Sequence, residues 1–395
     1  MALTDFRWPL DPALARGRDE TTLARALYST PLRLEPDSGA PVAGLCSGWS
    51  ASDDFRTWTF TCRNAAPIAA SLRRVANLPD APLHWLFGNV RASAPRADRL
   101  VVRLPFAWRR FPYALTTVAA APRFAPGPFR LVSGSPQRVV ATNAALRLEF
   151  RRYPSARAAQ RAFERGEVDE APVPLGEIER TRARLGSVLR SRTLLALDGV
   201  VLRRLQPKLR RVYWDTADRN DYADLVDESR GAVAVKAQPR AYRRALAEIQ
   251  SLPRVRVRVG VPPEPTLRYG ARILYAQWRD SGLGPQLVTE PATAPDATIG
   301  RWLAAYPQDE AIAAQLALAD GVGSRARLLR ALAATEQRAA LGGFDADLRA
   351  SARFVPLAWV VDARLVSPRL QGWRENALGD VDYAAVRSLA SSRSP

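Results

Sequence analysis

One run of the sequence constrains the architecture more than any other. RVRVRVGV at 254–261 alternates arginine with valine, so it reads as a half-exposed strand with one apolar and one cationic face. Leu267, Ala271, Leu274 and Trp278 then recur at helical spacing, and Gly282 and Gly284 end that helix. LVTEPA at 287–292 reads as a further short strand. Strand, helix and strand in this order form a βαβ unit, for which a right-handed crossover is expected. The fold class is α/β.

Other elements follow from the same rules. DETTLARALY at 19–28 predicts a helix with Asp19 or Thr21 as its cap. TWTFTCR at 57–63 predicts a strand, and RADRLVVRLPF at 96–106 another, ended by Pro105. Residues 130–152 alternate through two strands around a Gly-Ser-Pro turn. The 156–165 segment is a helix that stops at Gly166. Helices are expected at 311–319 and 324–340, and a strand at 357–365. No internal repeat or low-complexity linker marks a boundary.

A chain of 395 residues suggests two lobes rather than one compact domain. The net charge is +19, yet Lys208 and Lys236 are the only lysines and the arginines are scattered through every segment. That is a compositional bias; nucleic-acid binding would need the arginines gathered on one face. No apolar run approaches the roughly 18 residues that span a bilayer. Catalysis has little to work with. His84 is the only histidine and stands in apolar PLHWLFG. Among nucleotide-binding and nucleophile motifs, neither a phosphate-cradling glycine loop nor a GxSxG elbow occurs. No Cys/His cluster offers a metal site. No enzymatic activity, cofactor or metal is expected, and Glu167, Asp169 and Glu170 read as structural.

Several short segments stand in a fixed order. They are LDPAL at 10–14, GLCSGWSASDDFRTWTFTCR at 44–63, APGPFRL at 125–131, and LEFRRYPSARAAQRAFERGEVD at 148–169. RFVPLAWVVDARLVSPRLQGW at 353–373 and GDVDYAAVRSL at 379–389 complete the set. In this order they resemble solute-binding protein family 5, the extracytoplasmic binding proteins of peptide and nickel ABC importers. The resemblance implies a two-lobed type II periplasmic binding protein fold, with mixed sheets flanked by helices and a cleft between the lobes. Lobe I would comprise 1–199 and 355–395, and lobe II 200–354, shortened between Val226 and Arg254. The chain would cross between lobes near 197–202 and 353–356.

The implied function is to bind a small solute, with short peptides as the family's class, and to deliver it to a permease and its ATPase. The implied place is the cell envelope, in the periplasm or anchored at the cell surface, and the implied state is a monomer. MALTDFRWPLDPAL has no leader-like pattern, so the leader of such relatives is expected to be missing from this sequence. RDETT at 18–22 matches the segment entering the cleft from lobe I, where Asp19, Glu20 and Thr21 either meet ligand or simply cap the helix. RWLAAYPQDE at 301–310 resembles the W-x-x-D-Y-P-D-P loop whose aspartate pairs with a peptide's ammonium. Trp302, Tyr306 and Pro307 are kept, Ala305 and Gln308 replace the two aspartates, and Asp309 is one position off. Trp302 and Tyr306 either wall the ligand or plug the core. Trp359 reads as core, and 211–228 as a helix with Asp218 and Arg219 as an ion pair. Cys46 and Cys62 flank one aromatic stretch; paired as a hairpin in an exported protein they would form a disulfide, and otherwise they are two buried thiols. A sensor of the same fold without a transport role is the alternative function.

Overall fold

The computed structural model describes residues 1–123, 125–174, 176–226, 239–262, 264–289, 295–308, 311, 350–383 and 385–388. The βαβ unit is present. Strands Arg256–Val261 and Gly284–Thr289 pair in parallel and are joined by the helix Pro265–Asp280. Leu267, Ala271, Leu274 and Trp278 are all buried, as their spacing requires. Gly282 adopts φ +92 and turns the chain, whereas Gly284 opens the second strand instead of ending the helix.

These strands belong to a mixed six-stranded sheet. Its order is Glu170–Pro172, Phe354–Val366, Leu189–Val201, Ala297–Leu303, Arg256–Val261, Gly284–Thr289. Leu189–Val201 and Phe354–Val366 are each 13 residues long and run antiparallel to each other. Their register shifts between Thr193 and Leu197 and again between Asp198 and Gly199. The segments 197–202 and 353–356 lie side by side at one end of this strand pair, where Leu202 just beyond the strand donates its N–H to the Arg353 carbonyl at 2.6 Å. A core cluster on the far side joins Val200, Tyr213, Trp278, Ile299 and Val355. Another runs from Trp58, Phe60 and Trp108 to Leu197, Tyr306 and Phe354.

The N-terminal half holds two four-stranded sheets. In one, the strands run in the order Cys46–Ala51, Thr57–Cys62, Arg99–Arg103, Arg91–Arg96, and Cys46 and Cys62 are disulfide-bonded with their Cα atoms 3.8 Å apart. The expected 96–106 strand is thus a hairpin, because Arg96 ends one strand and Ala97–Asp98 turn into the next. In the other sheet, 130–152 forms three strands rather than two: Arg130–Gly134, Arg138–Thr142 and Arg147–Arg152. The extra turn is made by Asn143, whose Oδ1 accepts from the backbone N–H of Ala145 and Leu146. The glycine of APGPFRL has a steric reason: a Cβ on Gly127 would stand 2.5 Å from the backbone of Leu27 and Tyr28.

Two further expectations change. Residues 211–228 break into helices Pro207–Thr216 and Arg219–Val226. Arg219 is buried and donates to the carbonyls of Trp214, Ala217 and Pro356, while Asp218 accepts from the backbone of Asn220. The helices expected at 311–319 and 324–340 lie outside the described residues except at Ala311. Among the described residues, no helix is long and apolar enough to cross a membrane.

Candidate functional site

The two long strands and Ala297–Leu303 lie side by side, so residues opposite one another share a face. Leu197 faces Trp302 on one side and Trp359 on the other. Leu197 is buried and the two tryptophans are half-buried, and the row packs against the N-terminal core. Gly199 and Gly300 stand opposite each other two positions on, and their missing side chains let the rings of Trp302 and Phe354 meet edge-on at 4.9 Å. A Cβ on Gly199 would sit 2.4 Å from Phe354. The opposite face carries charge. Arg301 grips the fully buried Asp198 with Nε at 2.7 Å and Nη2 at 3.0 Å, and Tyr222 donates to the same carboxylate at 3.2 Å.

The loop after Trp302 crosses to the N-terminal core. Ala304 donates its N–H to the carbonyl of Leu195 at 2.8 Å. The Tyr306 ring is completely buried, 6.0 Å from both Trp108 and Tyr113. Arg110 donates to the Gln308 side chain, and Pro307 lies over Gly39. In this arrangement Tyr306 fills the core, while Trp302 remains on the half-buried face. Ala305 is half-buried beside them. Asp309 lies outside the described residues.

In the segment at 16–21 the capping expectation changes. Its helix begins at Gly17, two residues before Asp19, so neither Asp19 nor Thr21 is the cap. Asp19 accepts from the N–H groups of Thr4 and Asp5 at 2.6 and 3.0 Å, tying the N-terminal strand to the helix. Glu20 binds Arg7 through both oxygens at 2.7 Å and accepts from the Arg16 N–H. Both carboxylates are therefore satisfied by the chain itself. Thr21 returns its hydroxyl to the Gly17 carbonyl.

Beside them sits a buried charge cluster that sequence reasoning missed. Arg18 contacts Asp362 at 2.8 Å, Glu375 at 3.6 Å and the Gly379 carbonyl at 3.0 Å. Arg364 contacts Glu170, Asp362 at 3.4 Å and Asp19 at 3.8 Å. Four carboxylates thus share two guanidiniums. Burial pushes Glu170 up to about 8, against the pull of the N-terminal ammonium and Arg18, and Asp362 up to about 6, against the pull of Arg18. Arg18 Nε and Nη1 are buried and have no hydrogen-bond partner among the described residues. The only sequence signal was an acid and an arginine inside an apolar strand, VVDARLV. His84, by contrast, is packed in a short helix with Nδ1 3.3 Å from the Val75 carbonyl.

No protein-family model and no curated protein matches the chain. Solved structures do. The murein tripeptide binding protein MppA of Escherichia coli matches with a TM-score of 0.84 at 16% identity, over 98% of this chain and 97% of its own. OppA of Haemophilus influenzae, in complex with RPPGFSPFR, matches at 0.82 and 13% identity, over 96% of each chain. The chain has the two-lobed fold of these binding proteins. The unliganded open form of MppA matches less well, at 0.65 with 16% identity over 100% of this chain and 97% of that one.

Proposed function

We propose that this chain is the substrate-binding component of an ABC importer, enclosing a short peptide between two lobes and delivering it to a permease and ATPase. The observation that carries this is the end-to-end match to peptide-binding proteins of the same fold, with MppA and OppA each covered almost completely. Lobe I is 1–199 with 355–395, lobe II is 200–354, and the long paired strands with their shifted register form the hinge. The docked Tyr306 loop belongs to the closed arrangement. Opening withdraws it from Trp108 and Tyr113 and exposes the Trp302–Leu197–Trp359 row to ligand. The row supplies apolar contact area, and Arg18 supplies buried donors for a peptide's carbonyl or carboxylate. The protein acts as a monomer in the extracytoplasmic part of the cell envelope, where the Cys46–Cys62 disulfide is maintained, and it transforms nothing covalently.

Thermal unfolding at fixed salt tests this against di- to pentapeptides, oligosaccharides and nickel. A peptide at 100 times its dissociation constant stabilises by about 2.7 kcal/mol, a shift of several degrees. With Ala305 in place of the ammonium-pairing aspartate, N-acetylated and free peptides are expected to give equal shifts. Shifts with sugars or nickel alone would refute the peptide reading. A second reading, a sensor of the same fold without transport, draws on Ala305 and on the saturated Asp19 and Glu20; it is favoured if nothing in the panel shifts a well-folded sample.

A further inference from the structure

We propose that lobe I carries a separate anion site, formed by Arg73, Arg91 and Arg103, that takes a phosphate-bearing ligand. The hairpin of strands Arg91–Arg96 and Arg99–Arg103 sets arginine directly opposite arginine twice, Arg91 against Arg103 and Arg96 against Arg99. Like charges facing each other across a sheet destabilise it. Among the described residues neither Arg91 nor Arg103 has an ion-pair or side-chain hydrogen-bond partner to relieve this. Both instead border an open cavity of about 690 Å³, together with Arg73, Asn77 and Asn89, and no carboxylate lines it.

The third guanidinium arrives from another element. Arg73 lies in the last turn of the helix Ala65–Ala76, and its Nη1 is fixed by the Ala92 carbonyl at 3.0 Å. The carbonyl end of that helix also faces this region, but the Arg73, Arg74 and Val75 carbonyls already accept from the N–H groups of Asn77 and Leu78. Arginines from a strand pair and a helix border this one cavity, and a tetrahedral dianion offers acceptor oxygens in several directions to such side chains. A phosphate dianion carries more charge and one more acceptor oxygen than a carboxylate, so it gains more from several guanidiniums. The volume leaves room for whatever carries the phosphate. The chemistry is shared by a soluble phosphate ester and by the headgroup of an anionic phospholipid. Its residues are none of those assigned to the peptide cleft, so the site stands or falls independently of the transport reading.

Calorimetric titration of the full chain with glycerol 3-phosphate and inorganic phosphate, and sedimentation with phosphatidylglycerol or phosphatidylcholine vesicles, test it. The double variant Arg91→Ser/Arg103→Ser is compared with Arg130→Ser/Arg147→Ser, which removes the same charge from another exposed sheet. The first is expected to weaken binding about tenfold or more, and the second about twofold at most, because only the first removes charge-assisted contacts. Loss confined to the soluble ester identifies a free ester as the ligand; loss confined to phosphatidylglycerol vesicles identifies the headgroup. The unfolding midpoint of the first variant stays level or rises, since opposed charges are relieved, so lost binding is not lost folding. Equal weakening in both variants would show only the general field of a chain of net charge +19. That result, or no binding of any probe, overturns the site.

Discussion

Replacing Arg364 by leucine lowers the unfolding free energy by about 3–5 kcal/mol. Arg364 is almost fully buried, and its guanidinium is shared among Glu170, Asp362 and Asp19. Without it, Glu170, itself completely buried, loses its contact, and only the N-terminal ammonium and Arg18 still act on it. The double change Glu170→Leu/Arg364→Leu recovers part of the loss, because it also removes the buried carboxyl group left without its partner. The wild-type pH profile has a definite sign. Burial holds Glu170 at about 8 and Asp362 at about 6, so the folded chain keeps protons that the unfolded chain releases near pH 4. This contribution is complete below the unfolded range and is lost as pH rises through about 6 and then about 8. Urea midpoints from pH 4 to 9, for wild type and both variants, check the account. A midpoint that Arg364→Leu leaves unchanged would contradict it.

Opening the Cys46–Cys62 bond costs about 3 kcal/mol, the entropy regained by an unfolded loop of this size. The two cysteines are 16 residues apart and directly opposite each other in the hairpin of Cys46–Ala51 and Thr57–Cys62. Both are buried in the core that also holds Trp58, Phe60 and Trp108. The cross-link therefore fixes the register of strands that support the Tyr306 docking site. Unfolding midpoints with and without reductant, and for Cys46→Ala/Cys62→Ala, measure it. Coincident curves would mean that the hairpin is held by packing alone.

The βαβ unit was legible because its signals are local: four apolar residues at helical spacing lie between two strands. The third strand of 130–152 was not, because its turn is built by the side chain of Asn143 in a stretch without glycine or proline. The split at 96–99 was hidden for a similar reason, since Ala97 and Asp98 carry no strong turn signal. The charge cluster lay beyond reach. Arg18, Glu170, Asp362 and Glu375 are brought together only by the fold, and Asp19 and Glu20 look the same in sequence whether they face ligand or Thr4 and Arg7. Whether Tyr306 walls a cleft or fills a core likewise depended on Trp108 and Tyr113, which are far from it in sequence.

Small-angle scattering of the chain, without ligand and with the peptide that most raises its unfolding temperature, tests the central claim most directly. Closure of two lobes around peptide predicts a smaller radius of gyration in the bound state, as Tyr306 docks against Trp108 and Tyr113. A radius unchanged by a peptide that demonstrably binds would contradict a hinge on the two long strands.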